Sequence, residues 1–283
     1  MKKKRIIAGL LCIIVLSAVF AYLVQPTSQQ LAAGYLKSHF NNDVGLVYES
    51  EGVGSNPNAP DYYYNQTYNI YSDNLLVAYG LAPYERQISD RINQTIQSYG
   101  LKSSNFFEVL FGRAISENIS TADTRPIDEN PDNIILAEFH DSSTNLTWKN
   151  YGDTLIYQSL NSFLMGNRTA ADIYFNESYN MWDGKGIYDS ATYNNETKMV
   201  TYANYKLALV LYASKVLNLP IDNYTQIETQ LWSMQQENGG ITSWADINGN
   251  PLGSANAETT AMALLPYNAA LISQMQSLFG SAK

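Results

Sequence analysis

Leu207-Ala208-Leu209-Val210-Leu211-Tyr212-Ala213, followed by Val216 and Leu217, makes residues 200–218 read as a helix that is apolar on every side. A helix with no polar face must be buried all round, so other elements have to enclose this one. Two more segments share the character. Leu75-Leu76-Val77-Ala78-Tyr79 with Leu81 lies in 74–81, and Ala261-Met262-Ala263-Leu264-Leu265 lies in 257–265. Each is followed by a segment with a single apolar stripe at spacings of three and four. The stripes are Ile88, Ile92, Ile96 and Tyr99 in 85–99; Tyr224, Ile227, Leu231 and Met234 in 222–236; and Leu271, Ile272, Met275, Leu278 and Phe279 in 268–280. Such stripes predict helices with one wet face. A further pair, 152–165 then 168–182, follows the same order less regularly.

Short breaks such as Leu219-Pro220 and Leu265-Pro266 separate the partners. They predict antiparallel helical hairpins. Shielded helices alternating with half-wet ones predict a mainly α fold with an inner layer wrapped by an outer one. That is an α/α toroid or partial toroid of about four to five hairpins; a helical solenoid is the alternative. The buried helices also share an approach. Gly186-Ile187 precedes Asn204 by 18 residues, Gly240-Ile241 precedes Glu258 by the same 18, and Gly45-Leu46 precedes Asn74 with eleven residues more. Equal spacings indicate an internal repeat, with glycine where a tight turn or close backbone contact is required.

The third unit, Gln235-Gln236-Glu237-Asn238-Gly239-Gly240-Ile241-Thr242-Ser243-Trp244 followed by Ala257-Glu258-Thr259-Thr260-Ala261-Met262-Ala263-Leu264-Leu265, resembles the repeat of the squalene cyclase and protein prenyltransferase superfamily of α/α toroids. Complement-type thioester domains share that repeat. The second unit, Met181-Trp182-Asp183-Gly184-Lys185-Gly186-Ile187-Tyr188-Asp189, is similar to six-hairpin glycosidases and lyases. These folds host unrelated chemistries, and the catalytic residues of the families do not carry over. There is no Asp-x-Asp-Asp run, and Cys12, the only cysteine, stands in the apolar leader, so neither the prenyltransferase zinc set nor the thioester cysteine has a counterpart.

The resemblance implies that the N-terminal ends of inner helices face a central cavity. That would gather Asp73, Asn74, Asp153, Tyr202, Asn204, Asn256 and Glu258, with Trp182, Asp183, Asp189, Trp244 and Asp246 from nearby loops. Carboxylates and aromatics together suit a sugar ligand. Glycoside hydrolysis needs two carboxyl groups, one protonated and one ionised, and Asp73, Asp153, Asp189 and Glu258 are the candidates. The plain structural reading is that Asp73 and Asp153 cap helix starts, that Asn204 and Glu258 satisfy buried backbone, and that Trp182 and Trp244 belong to the core. The insertion 50–70 is long enough to cover such a cavity. Asp246-Ile247-Asn248-Gly249-Asn250 superficially matches a calcium loop, but Pro251 and Ala257 stand where glycine and glutamate are needed, which predicts a turn. His39 and His140 have no partners at metal or triad spacing. No metal or cofactor is expected.

Lys2, Lys3, Lys4 and Arg5 precede nineteen uncharged residues, Ile6 to Val24. That length suits a single membrane span with the remainder outside. The division is a leader over 1–26, with Gln25-Pro26-Thr27-Ser28 reading as a short linker, and an extracellular helical domain over 27–283. The apolar length fits an uncleaved anchor better than a signal peptide, although Val19-Phe20-Ala21 offers a cleavage site. Beyond the leader stand 26 acidic and 13 basic residues, a formal charge of −13. Nucleic-acid binding is excluded, because it needs basic patches. Eight Asn-x-Ser/Thr sequons, at Asn65, Asn93, Asn118, Asn145, Asn167, Asn176, Asn195 and Asn223, agree with an exported glycoprotein. The sequence thus predicts an extracellular domain that binds or processes a glycan-like polymer, with a non-catalytic surface or envelope protein as the alternative.

Overall fold

The computed structural model describes residues 26–49, 67–100, 106–115, 122–130, 133–140, 147–194 and 198–279. The leader, residues 50–66 of the insertion, and the sequons at Asn65, Asn118, Asn145 and Asn195 lie outside the described residues. Among those described, no helix is long and apolar enough to cross a membrane.

The fold is mostly helical with some sheet. The helices are α1 (Ser28–Ser38), α2 (Tyr71–Leu81), α3 (Arg86–Tyr99), α4 (Gly152–Leu164), α5 (Arg168–Tyr179), α6 (Tyr205–Leu217), α7 (Tyr224–Ser233), α8 (Ala257–Leu264) and α9 (Ala269–Ser277). The supposed linker at Thr27-Ser28 is instead a helix start. Thr27 accepts from the Gln30 N–H at 3.2 Å while its own N–H donates to Gln30 Oε1 at 2.9 Å, a reciprocal capping box. Asn167, Asn256 and Asn268 cap α5, α8 and α9 by accepting from an N–H three residues on. The Leu265-Pro266 break is a 3-10 turn that leads into α9, while α6 ends on Asn218 in the left-handed region (φ 51°).

The four pairs α2/α3, α4/α5, α6/α7 and α8/α9 occupy the segments that the hydrophobic pattern marks. In the run Leu207–Ala213 no residue exceeds 1% exposure. In the striped helices Ile92, Ile227, Leu231, Met234 and Met275 are buried while the other faces are wet. Phe279 departs from its stripe: it is exposed, with its ring against Phe163. Buried serines pin adjacent segments: Ser89 donates to the Ala78 carbonyl, Ser159 to Ala171 and Ser214 to Leu219. The four inner helices lie side by side in the order α4–α6–α8–α2, with α1 packed on α8 and α2. A 3-10 turn at Phe107–Phe111 lies against α4 and accepts the Tyr212 hydroxyl of α6 on the Leu110 carbonyl at 2.6 Å.

Helices α2 and α8 approach unusually closely at Gly80. A β-carbon there would stand 2.9 Å from the Ala261 carbonyl oxygen, a backbone atom that cannot swing aside. Gly80→Ala is therefore expected to destabilise the fold by about 1–3 kcal/mol despite the better helix propensity of alanine. A urea midpoint equal to or above that of the parent would remove the close-packing argument.

The sheets are small. Strands β1 (Phe40–Asn41) and β2 (Leu46–Val47) form a hairpin. Strand β3 (Thr67–Ile70) runs parallel to β5 (Asn133–His140), whose other edge pairs antiparallel with β4 (Ala122–Asn130). In β5, Ile134–Ala137 are all buried. A short hairpin joins β6 (Tyr193–Asn194) and β7 (Met199–Val200), and β8 (Tyr202–Ala203), β9 (Ile241–Ala245) and β10 (Pro251–Asn256) make a sheet in the order β10-β9-β8.

The repeat is visible in this local structure. Ile187 forms an antiparallel bridge with Trp182, and Ile241 forms one with Gln235. Gly186 and Gly240 are required for closeness: a β-carbon at the first would strike the Tyr202 ring, and at the second Tyr35 and Ala255. The positive φ belongs to their neighbours, Gly184 at 96° and Gly239 at 90°.

Candidate active site

The first turns of all four inner helices meet. Asp73 is the third residue of α2, Asp153 the second of α4, Tyr205 and Lys206 the first and second of α6, and Glu258 the second of α8. Glu49, just past β2, and Glu138, on β5, join them from outside the helices. Contacts tie the group together. The Tyr205 hydroxyl donates to Asp153 Oδ2 at 2.5 Å. Lys206 Nζ lies 2.5 Å from Asp189 Oδ2 and 3.8 Å from Asp153 Oδ1. The Glu258 N–H donates to Glu49 Oε2 at 3.2 Å, and the carboxyl of Glu49 is hydrogen-bonded to that of Asp73. Asp73 and Glu49 are buried; Asp153, Glu258, Tyr205 and Glu138 are half-buried.

So many carboxyls out of water cannot all ionise. Burial pushes Glu258 up to about 8, with the charges of Glu49, Glu138 and Asp153 adding to it. Burial raises Glu49 to about 7 against the pull of its hydrogen bonds from Asp73, the Glu258 and Ala257 N–H groups and Asn256. Asp73 is held well above the carboxylate range by burial and then by Glu49, Glu258 and Glu138. Glu49 and Asp73 therefore share a proton across one hydrogen bond. Burial, then the charge of Asp153, also keeps the hydroxyls of Tyr157 and Tyr205 protonated far into the alkaline range. Near neutral pH the cluster holds proton donors (Glu258, the Glu49–Asp73 pair, two tyrosines) beside an ion-paired carboxylate, Asp153.

The structure thus joins three of the four carboxyl candidates. The cap positions Ile70 and Tyr151 make no side-chain cap bond, and Asp73 does not cap its helix, whereas Asp153 Oδ1 accepts from the first-turn Thr154 N–H at 2.8 Å, as the plain structural reading expects. Asp189 is used up. Its carboxylate accepts from the Gly152 and Ala191 N–H groups, the Thr192 hydroxyl and Lys206, and its side chain is fully buried. Asn74 spans Val47 and the Ile70 carbonyl, and Asn204 donates to the Thr242 carbonyl; both hold loops. Asn256 caps α8 and also reaches Glu49. Tyr202 donates to Asp183, whose other oxygen accepts from Lys185 and Gly186 in a turn. Trp182 packs half-buried on the core; Trp244 is half-buried in β9, paired with Ala203 and Leu252.

The Asp246 loop is a turn, its carboxylate accepting from the Asn248 and Asn250 N–H groups. Among the described residues no group of three or more His, Cys, Asp and Glu is placed to hold a metal ion. His39 packs between the rings of Tyr35 and Tyr48 with Nδ1 at the Tyr35 carbonyl; the side chain of His140 lies outside the described residues. Sequence reasoning missed Glu49, Glu138, Tyr157, Tyr205 and Lys206. One signal was legible: a lysine at the start of an otherwise apolar, buried helix must find a carboxylate. Comparison with protein-family models, with characterised proteins and with solved structures finds no match to this chain.

Proposed function

We propose that residues 27–283 form a partial α/α toroid whose inner-helix starts line a chamber that binds and cleaves a glycan-like polymer outside the cell, held at the membrane by residues 6–24. Four shielded helices side by side, each followed by a half-wet partner, support the toroid. One arrangement carries the chemistry: Glu258, a half-buried carboxyl that burial pushes up to about 8, feels the charge of Asp153, a half-buried carboxylate ion-paired with Lys206. Glycosidic cleavage needs this division of labour. Glu258 acts as general acid on the leaving oxygen, and Asp153 as base or nucleophile. Tyr205 and Lys206 orient Asp153, and the Glu49–Asp73 pair holds the start of α8.

The test is a hydrolysis screen of neutral polysaccharides with the purified protein, alongside Glu258→Gln and Asp153→Asn. Each substitution is expected to lower kcat by about 10²–10⁴-fold while substrate binding persists. Wild-type activity should fall above pH 8 as Glu258 loses its proton. Absence of cleavage by the parent on every glycan would overturn the catalytic reading. The second reading, a non-catalytic surface or envelope platform, is favoured by how many predicted residues (Asp183, Asp189, Asn74, Asn204) are committed to internal bonds. It predicts binding without turnover in parent and variants alike.

A further inference from the structure

A shallow surface recess lies where the start of α1 meets the outer helix α7. It has a volume of about 390 Å³ and is lined by Ser28, Gln29, Glu228, Thr229 and Trp232, none of which belongs to the acidic cluster. That size falls within the ~300–1,000 Å³ of small-molecule sites. Its walls are fixed in advance. The Trp232 indole N–H donates to the Tyr267 hydroxyl at 2.8 Å, and that hydroxyl donates to Glu228 Oε1 at 2.6 Å. Behind Tyr267, the Lys215 ammonium sits 4.9 Å from the ring centroid and donates to the Pro266 carbonyl. The Gln235 amide donates to the Ser28 carbonyl and so ties the start of α1 to the wall. The indole ring and the carboxylate are therefore held in place before any ligand arrives, which removes an ordering cost from binding.

We propose that this recess is a surface subsite for one neutral sugar residue. Half-buried Trp232 offers an apolar ring for the C–H face of a pyranose, as amphipathic aromatics do at wet interfaces. Tyr267 occupies Oε1 of Glu228, which leaves Oε2 to accept from a sugar hydroxyl; Gln29 brings a donor and an acceptor, and Ser28 and Thr229 bring hydroxyls. The carboxylate, with no cation among the described residues that line the recess, selects against uronates, sulfates and phosphates. The subsite needs none of the chemistry assigned to Glu258 and Asp153, so it stands if that reading fails.

The experiment is ¹⁵N-indole NMR of the whole protein titrated with neutral tetrasaccharides (of glucose, mannose, galactose and N-acetylglucosamine) and with tetragalacturonate, to about 10 mM. The Trp232 indole resonance is expected to shift with at least one neutral tetrasaccharide and to stay fixed with tetragalacturonate. Gln29→Ala, a change at the surface that leaves the Trp232–Tyr267–Glu228 chain intact, should raise Kd about tenfold, and Trp232→Ala should abolish binding seen by the sugar's own signals. The shift should persist in Glu258→Gln, which separates this site from the chamber. An indole that stays fixed with every neutral sugar, or a Gln29→Ala protein that binds as the parent does, or uronate binding as strong as neutral binding, would overturn the proposal.

Discussion

Replacing Lys206 with methionine is expected to cost the fold about 3–5 kcal/mol, the penalty for leaving a buried charge without its partner. The Lys206 side chain is 4% exposed, and that of Asp189, whose carboxylate it serves, is 0% exposed. That carboxylate gathers the start of α4 through Gly152 and its own loop through Ala191 and Thr192, so three segments depend on one neutralised charge. Methionine keeps the length and apolar stem of lysine, which isolates the charge from the packing. In a domain of this size such a loss corresponds to a fall in Tm of roughly 6–20 °C. The pair is tested by the rescue: Lys206→Met with Asp189→Asn should be more stable than Lys206→Met alone, because the uncompensated charge is gone, and only part of the loss should return, because the asparagine NH2 cannot accept from one of the Gly152 and Ala191 N–H groups. A single variant within about 1 kcal/mol of the parent, or a double variant worse than the single, would show that Asp189 is stabilised by its backbone donors without the lysine.

This network also marks where sequence reading stops. The inner helices were legible because nothing in Leu207–Ala213 or Leu75–Tyr79 offers a wet face, and burial all round is the one outcome that avoids exposing them. The half-wet helices were legible for the complementary reason. The helix start at Ser28 is masked because Pro26 and Thr27 have the composition of a linker, and the Gln30 side chain that completes the capping box gives little signal by itself. Strand β5 gives no strand signal in the sequence, because it is buried on both faces at Ile134–Ala137, which erases the alternation by which strands are recognised. The carboxyl cluster was half legible. Asp73, Asp153 and Glu258 stand at helix starts, and the repeat spacing leads to Glu258 and to Asn74 beside Asp73, whereas Glu49 and Glu138 come from a strand end and a strand that no spacing connects to those helices. Asp189 looked equivalent to the other three by residue type. Only the lysine facing it and the backbone donors around it distinguish a buried clamp from a candidate acid.

Stability should fall steadily as pH rises from about 5 to 8, the reverse of ordinary acid denaturation. In the unfolded chain Glu49 and Glu258 titrate near 4.5 and Asp73 near 3.8, whereas in the fold Glu49 rises to about 7, Glu258 to about 8 and Asp73 in the same direction. Between those limits the native state holds more protons than the unfolded state, so the unfolding free energy drops with pH. The stabilising protonation is fully present below the unfolded values and is lost as pH passes through the folded ones. The loss over this window is on the order of 5 kcal/mol. Asp246 has the opposite sign, lowered first by the Asn250 N–H, but its contribution vanishes only below the usual carboxylate range and leaves the 5–8 window untouched. Urea midpoints at pH 5, 6.5 and 8 should therefore descend in that order. Glu258→Gln and Asp73→Asn, which fix a neutral group in place of the shared or held proton, should flatten the descent and leave the variants closest to the parent at pH 5. A parent midpoint that is level or rises from pH 5 to 8 would mean that water or a counter-charge reaches the cluster, and that Glu258 is ionised when the proposed chemistry needs it protonated.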